Sequence, residues 1–300
     1  MVVSIVNYVT FCGRHKNKWI PATKLTSKRG NAAINYIPSM DVVWITGGRS
    51  SRKGFLSSTE ILTKSDGQWK IEAGTELETK LAGHCTVMRS INEHQDEVII
   101  IGGGTVNSAG TIIWLNAVKS YLFDDKFGQS GTKILPSLNV QRSGHACTLS
   151  AARGEETIFV AGGQRASKDT ITSVETLCLE SSSCKWRTRA SLPTALSGAS
   201  FVTKLGIPTL IGGTGYKENG EDPSSRSLKE LIFSNQVYSY DIKNDRWEKS
   251  GEIEETVAYH TTAVLENDLC IAIQNEKNPD ADYEYEYDPE GLIDLRSTEY

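Results

Sequence analysis

Short apolar stretches in this 300-residue chain alternate with polar turns, and the same order of elements recurs four times. In each copy an apolar run ends in a glycine pair, at Gly47-Gly48, Gly102-Gly103, Gly162-Gly163 and Gly212-Gly213. A polar loop and a second alternating segment follow each pair, which is the pattern of two antiparallel strands joined across a break. The pairs stand 55, 60 and 50 residues apart. A period near fifty with mostly strand pattern favours propeller blades over helical repeats.

Tryptophan marks the end of three copies, at Trp69, Trp186 and Trp247, and Trp19 stands in the matching place before the first copy. The chain resembles the kelch-repeat β-propeller family, whose blades carry a glycine pair closing the second strand and a tryptophan in the fourth. Residues 240–247 match best, and the resemblance extends over about residues 4–273. It implies an all-β propeller, a fold that hosts adaptors, scaffolds and enzymes.

The copies predict four complete blades, and fragments at both ends predict a fifth. Residues 4–9 and Trp19 match third and fourth strands, whereas residues 259–264 and 268–273 match first and second strands. Pairing the N-terminal strands with the C-terminal half-blade would close the ring and leave few unpaired edges. We therefore expect five blades over residues 1–275, with six blades or a truncated sequence as the alternative.

Two units depart from the pattern. The second has no tryptophan, because Gly131 or Thr132 stands where one would fall, and Phe127 is a candidate substitute. The fourth has a long insertion after its glycine pair, in which residues 227–233 are predicted to form a short helical turn.

Charge is concentrated at the C-terminus. The chain carries a net charge of −5, and residues 276–300 hold nine acidic and two basic residues, so the first 275 residues carry +2. This balance does not suggest a nucleic-acid partner. The acidic, tyrosine-rich tail is expected to be disordered. A docking peptide, or phosphorylation at Tyr283, Tyr285 or Tyr287, is the alternative.

The six cysteines show no zinc-type spacing. Cys178 and Cys184 flank a predicted hairpin and are either bonded to each other or two partly buried thiols. No apolar run has the length of a membrane span, and the N-terminus does not read as a signal peptide. A cytoplasmic protein without a membrane partner is expected, and nuclear or cytoskeletal association is compatible with this.

No catalytic constellation stands out. His84, His145 and His260 occupy the same place in three first strands, which the repeat explains more simply than a metal site does. Residues 102–104 form a glycine run without the lysine and helix start of a phosphate loop. We therefore expect no metal, no cofactor and no enzymatic activity. A sugar mutarotase, a metal-dependent enzyme and a fragment of a larger kelch adaptor are the alternatives.

Basic residues in the loops are the candidate binding site. Arg49, Arg52 and Lys53 follow the first glycine pair, Arg165 and Lys168 follow the third, and Arg142 precedes a Gly-His pair. Arginine can hold a carboxylate through two hydrogen bonds. Solvated loop charges are the simpler interpretation, and whether these loops share one end of the propeller is open.

The resemblance implies an interaction module that holds an acidic peptide or protein on one propeller face. Members of the family often serve as substrate receptors of ubiquitin ligases, in chains that also carry a BTB or F-box element. Neither element is recognisable in these 300 residues, so an adaptor role rests on the resemblance.

Overall fold

The computed structural model describes residues 8–12, 19–126, 128–166, 169–181, 183–219, 228–265, 268–272 and 292–295. Within these ranges the fold is all-β, with 3₁₀ turns at Pro38–Met40 and Ala152–Gly154 and no α-helix. Consistent with that, the described part of the chain holds no helix that is long and apolar enough to cross a membrane.

Four sheets of four antiparallel strands follow one another along the chain. An N-terminal pair precedes them: β1 (Tyr8–Cys12) and β2 (Trp19–Lys24). Blade 1 comprises β3 (Ala33–Ile37), β4 (Val42–Thr46), β5 (Arg49–Ser50), β6 (Gly54–Phe55), β7 (Thr59–Ser65) and β8 (Gln68–Ala73). Blade 2 comprises β9 (Cys85–Asn92), β10 (Gln95–Ile101), β11 (Gly104–Val106), β12 (Ile112–Trp114), β13 (Val118–Asp124) and β14 (Gly128–Leu135).

The next two blades repeat this order. Blade 3 comprises β15 (Ala146–Ser150), β16 (Thr157–Ala161), β17 (Gln164–Ala166), β18 (Asp169–Thr170), β19 (Val174–Cys178) and β20 (Arg187–Arg189). Blade 4 comprises β21 (Ser200–Lys204), β22 (Ile207–Ile211), β23 (Thr214–Asn219), β24 (Leu228–Phe233), β25 (Gln236–Asp241) and β26 (Arg246–Glu252). In every blade the first, second, fifth and sixth of these strands form the main sheet, and the two short middle strands form a separate hairpin. The first strands of successive blades pack side by side, as in a propeller.

A last sheet follows blade 4, with β27 (Thr261–Leu265), β28 (Asp268–Ala272) and β29 (Leu292–Leu295). The free side of β28 pairs with β29, whereas β1 pairs with β2. This differs from the predicted closure, in which N-terminal strands would pair with β28, because a tetrapeptide of the tail occupies that position. The remaining tail residues, 276–291 and 296–300, lie outside the described residues. Four complete blades are observed within the described ranges, and five blades remain a prediction.

The predicted helical turn at residues 227–233 is wrong for residues 228–233, which form a strand, and residue 227 lies outside the described residues. β24 pairs antiparallel with β23 from Leu228↔Asn219 to Phe233↔Thr214. The inter-strand ladder satisfies the backbone of this segment, so pairing overrides a local preference for helix.

The second glycine of each pair lies where one blade meets the next. The Gly48 N–H donates to the Leu81 carbonyl oxygen at 2.7 Å. The three equivalent bonds run from Gly103 to Arg142, from Gly163 to Leu196 and from Gly213 to Val257, at 2.7–2.8 Å. Gly48 has a φ of 96°, and a Cβ atom there would lie 2.8 Å from the Gly30 carbonyl oxygen. Only glycine meets both demands.

Blades 1 and 3 contain the same buried ion pair. In blade 3, Arg142 Nη2 lies 2.6 Å from Glu175 Oε1, and both side chains are buried, with exposed fractions of 0% and 1%. Arg142 also donates to the carbonyl oxygens of Gly162 and Ser173. In blade 1, Arg29 and Glu60 form the equivalent pair at 2.6 Å. Contrary to its predicted role in partner binding, Arg142 therefore has no access to a partner and belongs to the interior.

Blades 2 and 4 replace this pair with other residues. The backbone hydrogen bonds of the glycine pairs show which positions are equivalent in different blades. In blades 2 and 4, Leu81 and Leu196 occupy the arginine position, and Lys119 and Tyr238 occupy the glutamate position. The arginine and the glutamate thus occur together or not at all, as expected for charges that are buried only when paired.

Tryptophans tie the outer strands to neighbouring blades. Trp186 Nε1 donates to the Pro136 carbonyl oxygen at 2.7 Å, and Trp247 Nε1 donates to the Ala190 carbonyl oxygen at 3.0 Å. Blade 2 lacks this anchor: Trp247 pairs with Tyr240 in blade 4, whereas Thr132 pairs with the equivalent Tyr121 in blade 2.

Trp44, from the second strand of blade 1, fills the joint between blades 1 and 2 instead. Its ring lies 5.3 Å from that of Tyr121 and 4.9 Å from that of Phe123, and it is 1% exposed. The predicted substitute, Phe127, lies outside the described residues.

The three histidines at equivalent positions are buried in separate joints between blades. His84 Nε2 lies 2.9 Å from Thr46 Oγ1, and His145 Nε2 donates to the Ile101 carbonyl oxygen at 3.1 Å. Burial lowers the pKa of His84 to about 4, of His145 to about 3 and of His260 to about 4. The neighbouring Arg142 guanidinium further lowers the pKa of His145. All three side chains are therefore neutral at pH 7.

Replacing Arg142 by leucine should lower the free energy of unfolding by about 3–5 kcal/mol, because Glu175 would remain buried without its cation. The double variant Arg142→Leu/Glu175→Tyr copies the blade 4 residues Leu196 and Tyr238 and should recover part of this loss. Urea unfolding of the wild type and both variants measures the difference. A loss of less than about 1 kcal/mol in the single variant would show that the buried pair is not needed for stability.

Stability should fall in mild acid because these histidines bind protons more tightly in the unfolded chain than in the fold. Their contribution is intact above pH 6.5, the ordinary histidine pKa, and is lost as the pH falls towards 4. Each histidine should lower the free energy of unfolding by about 1–2 kcal/mol between pH 7 and pH 5. His84→Gln should flatten the dependence of unfolding free energy on pH, and His84→Gln/His260→Gln should flatten it about twice as much. An unaltered slope in both variants would contradict this assignment.

Candidate interaction face

Each glycine pair is followed by a two-stranded hairpin, and together these four hairpins form what we call the hairpin face. Hairpin 1 spans residues 49–55 and hairpin 2 spans residues 104–114. Hairpin 3 pairs residues 164–166 with 169–170, and hairpin 4 pairs residues 214–219 with 228–233. Each arises because the chain leaves the second strand of a blade at the glycine pair and returns to the third.

The hairpins and the segments that enter each blade lie at the same end of the propeller. Single backbone bridges join Gly30 to Arg49, Ala82 to Gly104, Ser143 to Gln164 and Ser197 to Thr214. The loops before the Gly-His pairs and the loops after the glycine pairs therefore share one end, which resolves the question that the spacing left open.

Neighbouring hairpins touch, so the face is continuous. The Phe55 ring of hairpin 1 lies beside Gly104 of hairpin 2, where a Cβ would come within 3.6 Å of it. β12 packs against β17, and β18 packs against β23, which joins hairpins 2, 3 and 4 in turn.

Hairpin 1 is the basic part of the face. Arg49, Arg52 and Lys53 are all exposed. The Arg49 guanidinium carbon lies 5.7 Å from the centroid of the Phe55 ring, so a cation–π contact holds it above the hairpin surface. Three cations within five residues create a positive patch that favours a negatively charged partner.

Hairpin 3 contributes less free charge than the sequence suggests. Arg165 Nε lies 2.5 Å from Asp169 Oδ2 across the hairpin, with both side chains accessible to solvent. The guanidinium is thus already paired, and a partner would have to compete with Asp169. Lys168, predicted with it, lies outside the described residues.

Hairpins 2 and 4 expose apolar side chains that were not among the residues predicted to bind a partner. Val106, Ile112 and Ile113 of hairpin 2 are 37–40% exposed, and Leu231 and Phe233 of hairpin 4 are 45% and 47% exposed. The available signal was the run 112–114, Ile-Ile-Trp, in a loop with no charged residue. Apolar side chains clustered on one face of a propeller, beside a basic patch, are typical of an interaction surface.

The glycine run 102–104 has no free donors for a phosphate. Its three N–H groups donate to the carbonyl oxygens of Ala117, Arg142 and Ala82 at 2.7–2.9 Å. The histidines lie in separate joints, and no three His, Cys, Asp or Glu side chains of the described residues are grouped as metal ligands.

Comparison with known proteins supports the propeller and the kelch resemblance. Beta-scruin of Limulus polyphemus, a kelch-repeat protein, is 31% identical over 107 residues, which is 35% of this chain. The chain spans about a tenth (10%) of the length of this curated relative. No protein-family model matches the chain.

A solved structure shares the fold over most of its length. The structure of YjhT superposes with a TM-score of 0.69 at 16% identity, covering 90% of this chain and 84% of that one. Such low identity shows the fold alone. The kelch-repeat relative fits a non-enzymatic propeller, in agreement with the prediction that the chain is not an enzyme. The chain is thus an all-β propeller protein that resembles kelch-repeat proteins, which generally bind other proteins.

Proposed function

We propose that this propeller is a protein-interaction module that binds an acidic partner segment with apolar anchors on its hairpin face. The observation that carries the proposal is the continuity between hairpin 1, which is basic, and hairpin 2, which exposes apolar side chains. A segment that offers carboxylates to one and apolar side chains to the other would satisfy both at once.

The charged half of the contact uses Arg49, Arg52 and Lys53. Arginine presents a planar fork of donors that matches a carboxylate, and the stacking on Phe55 restricts where the Arg49 fork can point. A positive patch at the rim chiefly raises the rate of association and selects the sign of the partner's charge.

The apolar half supplies most of the affinity. Fully burying an isoleucine side chain contributes roughly 1.5–3 kcal/mol, so Ile112 and Ile113 together have enough surface to anchor a partner. Leu231 and Phe233 extend the apolar area to hairpin 4, across hairpin 3. Large exposed side chains that lose water on binding are the usual centres of binding energy at interfaces.

Charge reversal on hairpin 1 should weaken capture of the partner about tenfold or more. The test is quantitative pull-down from matched cell extract with Arg49→Glu/Arg52→Glu against wild type, after thermal unfolding has shown both to be folded. Lys126→Glu/Lys243→Glu is the control, because it makes the same charge change at exposed turns at the opposite end. Equal loss in both variants would indicate a net-charge effect, and no loss in the hairpin variant would remove hairpin 1 from the site. Ubiquitin-ligase subunits recovered with the wild type and lost with the hairpin variant would extend the role to that of an adaptor.

Polar substitution on hairpin 2 should weaken the same partner by a similar factor of about tenfold, because it removes the apolar anchors. Ile112→Ser/Ile113→Ser is compared with Leu205→Ser/Ile207→Ser, which alters two residues that are 74% and 48% exposed at the opposite end. Binding that survives the hairpin 2 change but is lost in the control would place the contact at the other end of the propeller.

A further inference from the structure

A disulfide joins two blades that share no sheet. Cys85 lies at the start of β9 in blade 2, Cys147 lies in β15 of blade 3, and the two are bonded with their Cα atoms 5.9 Å apart. This separation lies within the usual range for a disulfide. The two first strands pack side by side without a ladder between them. The bond is therefore a covalent tie across the joint between blades 2 and 3.

Among the described residues, the equivalent strands at the joints between blades 1 and 2 and between blades 3 and 4 are linked by hydrogen bonds. Asn35 donates to Thr86 at 2.9 Å between blades 1 and 2, and Thr148 and Thr203 are bonded at 3.0 Å between blades 3 and 4. Among these three joints of the described residues, the covalent tie occurs at one, and the fold does not require it at the other two.

The tied joint belongs to the blade with the fewest other anchors. Blade 2 has no tryptophan in its outer strand and no buried arginine–glutamate pair. The residues between the two cysteines include β10 to β14, so the disulfide encloses nearly all of this blade in a covalent loop. A cross-link that closes a loop of this length stabilises mainly by restricting the unfolded chain.

We infer that Cys85 and Cys147 are a redox-controlled modification site that locks blade 2 to blade 3. A low-molecular-weight disulfide is the co-reactant. One cysteine thiolate displaces a thiol from it to form a mixed disulfide, and the other then displaces the second thiol and forms the Sγ–Sγ bond. Two electrons and two protons thereby pass from the cysteine pair to two released thiols. Both side chains are half-buried, so a small co-reactant can reach them.

The state of this site depends on the compartment. Disulfides persist in oxidising compartments and are reduced in the cytosol. An oxidised joint fixes hairpins 2 and 3 relative to each other, because they belong to the two tied blades. When the bond is reduced, the relative position of hairpins 2 and 3 depends on packing alone. Cys85 and Cys147 then pack against the apolar cluster around Val87, Val160 and Trp186.

The test uses the purified full-length protein equilibrated with oxidised or reduced glutathione, followed by alkylation and peptide mapping. Oxidation should yield a peptide in which Cys85 is linked to Cys147, and reduction of the wild type should lower its Tm by roughly 5–10 °C. Cys85→Ser/Cys147→Ser should lose this redox-dependent shift. Cys178→Ser/Cys184→Ser, which removes the other described disulfide, should keep it.

Two results would overturn the inference. One is alkylation of both Cys85 and Cys147 in folded protein after incubation with oxidised glutathione. The other is a redox-dependent Tm shift that disappears in Cys178→Ser/Cys184→Ser and persists in Cys85→Ser/Cys147→Ser. Because peptide mapping and the Tm shift on reduction are measured on the wild type, the test holds even if the first double variant fails to fold.

Discussion

A line of backbone hydrogen bonds passes from blade to blade through the residues that open each first strand. Gly83 donates to Asn31, Gly144 to Gly83, Gly198 to Gly144 and Tyr259 to Gly198, at 2.7–2.8 Å. All five residues have φ between 52° and 64°, and a Cβ on Gly198 would lie 2.9 Å from the Tyr259 ring. We call the residue that opens each first strand the entry residue. Each blade can dock on the one before it only if its entry residue adopts this left-handed conformation. The register of every blade depends on this constraint.

Around the fixed entry residues, two kinds of position have different requirements for burial and charge. The residue two positions before each entry residue faces the interior and must be neutralised or apolar, which is why Arg142 comes with Glu175 whereas Leu196 comes with Tyr238. The residues after each glycine pair leave the sheet for a hairpin and are free of that requirement. Charge therefore varies among the hairpins without disturbing the joints, and one hairpin can be basic while its neighbour is apolar.

Spacing along the chain is sufficient to predict the four main strands of each blade, because the glycine pairs and tryptophans repeat along the sequence itself. It was insufficient for Arg142, since an arginine in a loop before a Gly-His pair has the same local appearance as an exposed one. Its partner Glu175 is 33 residues away, and the pairing becomes visible only when blades are aligned by their hydrogen bonds. The strand at residues 228–233, the exposed side chains of hairpin 2 and the bond between Cys85 and Cys147 likewise depend on which segments meet in space.

Blade 2 shows how a repeat can lose its own anchors and remain in place. Its outer strand has no tryptophan, Leu81 rather than arginine stands two positions before its entry residue, and its hairpin carries no charge. Neighbouring blades supply the compensation: Trp44 from blade 1 packs on Tyr121 and Phe123, and Cys147 from blade 3 bonds to Cys85. Because both supports lie inside the joints, they cover none of the side chains that the hairpin of blade 2 exposes at the surface. The most altered blade can therefore present the apolar side chains Ile112 and Ile113 without loss of its place in the ring.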